Sequence, residues 1–89
     1  MRLEGVWLVM AETGEYSDRG IETVSAWDSE AEAIDCVARL SQAAREQGVW
    51  AGGPDERRRV GYNAPEFKSE GFSMRSDYTG IRFYPVRVP

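Results

Sequence analysis

From residue 4 to residue 11 apolar side chains alternate imperfectly, with Val6, Leu8 and Met10 on one face of an extended chain and Trp7 and Val9 on the other. Apolar residues on both faces predict a central strand, or one covered on both sides. A second extended run over 21–27 places Ile21, Thr23, Ser25 and Trp27 on one face and Glu22, Val24 and Ala26 on the other. Neither face is clean, which predicts a bulge or a partly exposed strand. Between the runs lies Gly14-Glu15-Tyr16-Ser17-Asp18-Arg19-Gly20, longer than a two-residue hairpin turn. Gly14 and Gly20 can take positive φ at its ends, and Ser17 and Asp18 can bond nearby backbone N–H groups. The pattern is a hairpin whose loop is polar and aromatic-tipped.

The period then changes. Ser29 to Glu32 reads S-x-x-E, a capping box, and its first turn is acidic, as the helix dipole favours. Ala33, Ile34, Val37, Leu40, Ser41 and Ala44 follow as one apolar stripe at helical spacing. Asp35 and Arg39 stand four apart on the outer face in the favourable orientation. Gln47 or Gly48 ends the helix, glycine being the usual residue just past a helix terminus.

Past Gly48 the pattern breaks into short pieces. Gly52-Gly53-Pro54-Asp55 predicts a turn, and residues 57–62 a short strand that Asn63-Ala64-Pro65 interrupts. Residues 72–76 and 81–88 predict a closing hairpin around Asp77-Tyr78-Thr79-Gly80. Ile81 and Phe83 have the opposite parity to Val86 and Val88, so Pro85 between them predicts a kink or bulge at a sheet edge. The expected class is α+β: a β-hairpin followed by one amphipathic helix packed on a small, mostly antiparallel sheet, ββαββ-like, with room for one extra short strand.

Composition adds bounds. Eighty-nine residues are expected to form one domain, and 42% hydrophobic with 11% aromatic residues suffice for a core, which argues against global disorder. No apolar run approaches the roughly 18 residues that span a bilayer, and no signal-peptide pattern opens the sequence. A single cysteine, Cys36, permits no intrachain disulfide and fits a reducing cytoplasm. Charge is divided along the chain. Residues 1–35 hold nine acids against Arg2 and Arg19, a net of −7, while residues 36–89 carry a net of +3. Such a split can steer a charged partner. Ten arginines to one lysine suit fork-like recognition of carboxylates and phosphates, although a GC-rich genome produces the same bias.

Candidate chemistry is sparse. The sequence has no histidine, which removes Ser–His and Cys–His nucleophile activation and nearly every zinc or iron site. Cys36 sits beside the apolar stripe and reads as a packed thiol. Asp28, Glu30 and Glu32 match alternate positions of a calcium loop, but Ala33 stands where the glycine is needed and the segment is entering a helix. No metal or cofactor is expected. No G-x-G-x-x-G or Walker pattern occurs. Arg57-Arg58-Arg59 is the dense basic patch; it can grip phosphate or an acidic protein surface, and Tyr62, Phe67 and Phe72 follow it. Asp55 and Glu56 precede it, so a solvated charged strand is the plainer reading. Trp7, Trp27 and Trp50 read as core or core-edge residues.

The run Val6-Trp7-Leu8-Val9, then Gly14-Glu15-Tyr16-Ser17-Asp18, Ile21, Val24, Trp27 and Ser29-Glu30-Ala31-Glu32-Ala33, resembles a loose group of small phage and prophage proteins. These are built as strand, "GEYSD"-type loop, strand and capped helix. The resemblance covers about residues 4–40 and implies a phage context more than an activity. With it, the expected function is a non-enzymatic inhibitor that binds a host protein, as anti-CRISPR and other anti-defence proteins do. It would act by steric occlusion or charge mimicry, and its target would be a nucleic-acid-handling defence complex. Contact is assigned to Glu15, Tyr16 and Asp18, or alternatively to Arg57, Arg58 and Arg59. A nucleic-acid-binding accessory protein using the arginine triplet, or a phage structural component, is the alternative. A homo-oligomer built through an edge strand is compatible with each.

Overall fold

A computed structural model of the chain describes residues 5–14, 20–50, 65–75 and 80–89. Three eight-residue strands form the main sheet: β1 (Val6–Thr13), β2 (Gly20–Trp27) and β5 (Ile81–Val88). Their order is β2-β1-β5, with both pairings antiparallel. The apolar run of β1 is therefore the central strand, as its two apolar faces require. One helix, α1 (Glu30–Glu46), and a hairpin of β3 (Phe67–Ser69) with β4 (Phe72–Met74) complete an α+β fold.

The expected bulge is in β2. Val9 pairs with Ser25 and Met10 with Thr23, which leaves Val24 as the extra residue. A bulge shifts side-chain parity by one. Ile21 and Thr23 thus lie on one face of the sheet and Ser25 and Trp27 on the other, not together as strict alternation predicts. Trp27 stands directly opposite Trp7, and its indole N–H donates to Ser25 Oγ at 2.8 Å. β5 has no such irregularity: its register with β1 runs unbroken from Val88 opposite Val6 to Ile81 opposite Thr13. Ile81 and Phe83 consequently face α1, while Tyr84, Val86 and Val88 face away from it. Pro85 produces no bulge, but it does sit on a strand at the edge of the three-stranded order.

Ser29 caps α1. Its φ of −136° and ψ of 155° are extended, and its Oγ accepts from the Glu32 backbone N–H at 3.2 Å. Glu32 does not complete a reciprocal box with the Ser29 N–H; its carboxylate accepts the Ser29 hydroxyl at 3.0 Å. At the other end the Gly48 N–H bonds the Arg45 carbonyl at 3.1 Å and the Val49 N–H bonds Ala44 at 2.9 Å. With Gly48 at φ 75° this is a Schellman motif, and it turns buried Val49 back into the core.

The buried face of α1 is Ala33, Cys36, Leu40 and Ala44. It is rotated from the expected stripe, since Cys36 is inside and Ile34 is half exposed. Three of these four side chains are small, which lets the helix approach the sheet closely. Cys36 is a packed thiol 3.6 Å from Ser25 Oγ.

The closing hairpin expected from residues 72–76 and 81–88 does not form. β4 pairs with β3, and β5 pairs with β1. The turn is Glu70-Gly71, both at positive φ (51° and 81°), which is the two-residue geometry that matches strand twist. Three-residue strands cannot stand alone in water, so this hairpin depends on docking. Phe67 supplies it, fully buried with its ring 5.3 Å from Phe83 and 6.3 Å from Phe72. Gln47 adds a pair of hydrogen bonds to the Lys68 backbone, donating to its carbonyl at 2.8 Å and accepting from its N–H at 3.1 Å. Arg39 holds the Glu70 carboxylate side-on at 3.0 and 3.2 Å and also pairs with Asp35. The Glu70 hydrogen bond is the main cause that raises the Arg39 guanidinium above its ordinary pKa, and the exposed setting keeps its effect on stability small.

Candidate functional site

One end of the sheet gathers segments that are far apart in sequence. Thr13 ends β1 with Gly20 as its partner on β2 and Ile81 as its partner on β5. Its hydroxyl donates to the Gly80 carbonyl at 2.6 Å. On the other side of Ile81, Trp50 forms a parallel bridge to it, and the Ile81 N–H donates to the Val49 carbonyl at 2.7 Å. The Schellman turn delivers Trp50 to this position by reversing the chain at the end of α1. β4 also approaches here, because a Cβ built on Gly20 would lie 4.0 Å from Met74 Cε.

The geometry of this end follows from a few residues. Gly14 and Gly80 have φ of 89° and 81°, a region L side chains rarely adopt, so the chain can turn sharply on leaving β1 and on entering β5. Arg45 in the last turn of α1 stacks its guanidinium 3.9 Å from the centre of the Trp50 ring. One row in from the end, Arg82 donates to Glu12 at 2.7 Å, and Glu12 is almost completely buried. The Arg45–Trp50 stack, the Thr13 hydroxyl on Gly80 and the Arg82–Glu12 pair thus lie near one end of the sheet.

Glu15, Tyr16 and Asp18, and likewise Arg57, Arg58 and Arg59, lie outside the described residues. The predicted turn at Gly52-Gly53-Pro54-Asp55 and the short strand over 57–62 lie there too. What the structure fixes is the flanks. Gly14 and Gly20 bound segment 15–19, Trp50 precedes segment 51–64, and Gly80 follows segment 76–79. All four lie at this end of the sheet: Trp50 and Gly80 adjoin Ile81, and Gly14 and Gly20 lie beside its partner Thr13. Sequence reading missed this junction because Thr13, Trp50 and Ile81 share no local pattern. The available signal was Gly48, whose turn sends the chain back toward the sheet.

A second feature lies at the opposite end of α1. Asp28, Glu30, Glu32 and Asp35 are all exposed around its start, which concentrates much of the acidity of the first 35 residues. Glu32 is engaged with Ser29 and Asp35 with Arg39. Among the described residues no group of three His, Cys, Asp or Glu side chains could hold a metal ion. Among the same residues no helix is long and apolar enough to cross a membrane. The chain matches no protein-family model, no curated protein and no solved structure.

Proposed function

We propose that the chain is a non-enzymatic binding protein of a phage or mobile element that inhibits a host protein by occluding it, as anti-CRISPR and other anti-defence proteins do. One observation carries this reading. Gly14 and Gly20, which bound the segment bearing Glu15, Tyr16 and Asp18, and Trp50, which precedes the segment bearing Arg57, Arg58 and Arg59, lie at the same end of the main sheet. That sheet end is held by the Thr13–Gly80 and Ile81–Val49 hydrogen bonds, so a contact made on it carries a small ordering cost.

The exposed acids at the start of α1 support a host target that handles nucleic acid. Carboxylates can take the place of phosphates against arginine and lysine, and a negative surface speeds encounter with a basic groove. The setting for such a target is the host cytoplasm.

Capture of host-lysate proteins on the tagged chain tests the reading. The wild-type chain is expected to recover one specific host protein or complex, and Tyr16→Ala to weaken recovery at least tenfold while leaving the circular dichroism spectrum unchanged. Repeated recovery of no specific partner would refute the proposal. Retained capture by a folded Tyr16→Ala protein would remove the 14–20 loop from the contact. A salt-sensitive gel shift with nucleic acid alone would favour the accessory-protein alternative.

A further inference from the structure

The β3–β4 hairpin is a sheet of its own, with no strand pairing to β1, β2 or β5. Among the described residues, its hydrogen bonds to the rest of the chain come from two side chains on or just past α1. Gln47 bonds the Lys68 backbone, and Arg39 holds the Glu70 carboxylate. Its apolar hold is Phe67 and Met74, both buried, with Phe72 partly so. None of the bonds that fix the rest of the fold passes through it. The ladders of β1 with β2 and β5, the Ser29 cap, and the turn at Gly48 and Val49 are complete without the hairpin.

We propose that the hairpin opens as a unit while the three-stranded sheet and α1 stay folded, and that the Arg39–Glu70 pair is the latch that sets how often it opens. Three-residue strands do not persist in water once undocked, so release frees β3 and β4 together. Proteins open in such cooperative units, and those held by few ties open more readily than the whole chain unfolds. Burial of Phe67 keeps the closed form dominant. The open form is a minor state that presents Phe67, Met74 and the face of Phe83 that Phe67 covers, apolar groups that closure hides.

The latch follows from the turn. Glu70 sits in it at φ 51°, followed by Gly71 at φ 81°. The turn carries the Glu70 carboxylate to the middle of α1, where Arg39 takes both oxygens at 3.0 and 3.2 Å. Arg39 is itself held by Asp35 one helical turn earlier, and its guanidinium lies 6.0 Å from the centre of the Trp27 ring. A guanidinium fixed in this way loses little freedom on gripping a two-oxygen acceptor. Gln47, the other tie, is uncharged, so charge acts on the hairpin through Arg39. This inference does not depend on the host-partner reading.

Native-state hydrogen exchange on the full chain, read amide by amide in low denaturant, is the test. The β3 and β4 amides are expected to share protection factors about tenfold or more below those of the slowest β1 amides. Two exposed substitutions then separate partial from global opening. Ser29→Ala removes the cap at the far end of α1 and so weakens the closed and open forms alike relative to the unfolded chain. It is expected to speed exchange of the slowest β1 amides about fivefold and to leave the hairpin amides unchanged. Glu70→Gln is expected to speed the hairpin amides about two- to fivefold. Hairpin amides that match the β1 protection and follow it in Ser29→Ala overturn the proposal, because the hairpin then opens only with the whole chain. Hairpin amides unmoved by Glu70→Gln overturn the latch.

Discussion

Replacing Phe67 by alanine is expected to lower the unfolding free energy by about 3–5 kcal/mol, the usual cost of removing a buried phenylalanine ring. Phe67 heads the fully buried side chains by volume, and its ring lies between Phe72 and Phe83. It joins the β3–β4 hairpin to the main sheet through β5. Met74 and part of Phe72 add to the apolar contact, whereas the polar ties, Gln47 to Lys68 and Arg39 to Glu70, are exposed and individually weak. A chain of this length has roughly 4–13 kcal/mol of stability in total at 0.05–0.15 kcal/mol per residue, so the loss is a large share of it. Denaturant titration should show the midpoint falling accordingly. Hydrogen exchange in the surviving native state should show the hairpin amides losing protection before those of β1. A loss below about 1 kcal/mol would mean that Phe67 is not the anchor described.

Leu40 and Ile34 provide the second large contrast. Periodicity places both on one stripe, yet Leu40 is fully buried and Ile34 is 50% exposed. Leu40→Ala is expected to cost about 2–5 kcal/mol, because it opens a cavity between α1 and the sheet that small neighbours such as Ala44 cannot fill. Ile34→Ala removes mostly hydrated surface and adds a better helix former, so its effect is expected to stay within about 0.5 kcal/mol. Parallel urea titrations measure both. Equal costs would mean that the helix is rotated relative to the orientation described.

Local signals were legible in the sequence where one residue type satisfies one backbone need. Ser29 at the helix start and Gly48 just past its end both act as their patterns indicate. β1 is central because Val6 to Met10 is apolar on both faces, and the untidy faces of 21–27 did signal a bulge. The face of α1 was less legible. Ala33, Cys36 and Ala44 are too small to weigh heavily in an apolar count, while Ile34 weighs much and lies outside. The β3–β4 hairpin was missed because three-residue strands show no periodicity, and Glu70-Gly71 is a less familiar form of the two-residue turn. The pairing of β5 with β1 joins positions 68 to 82 residues apart, from Thr13 with Ile81 to Val6 with Val88, and local pattern does not encode it. The same reason hid the junction at Ile81. Its members, Thr13, Trp50 and Ile81, come from three separated segments.

Occlusion and enzymatic inactivation of a host protein differ in stoichiometry and in time. The purified chain, titrated against a fixed amount of the host complex it captures, should abolish that complex's activity at stoichiometric amounts. The inhibition should not depend on incubation time, and it should reverse when the two are separated. Inhibition at far below one equivalent that deepens with time would contradict a binding role and indicate turnover.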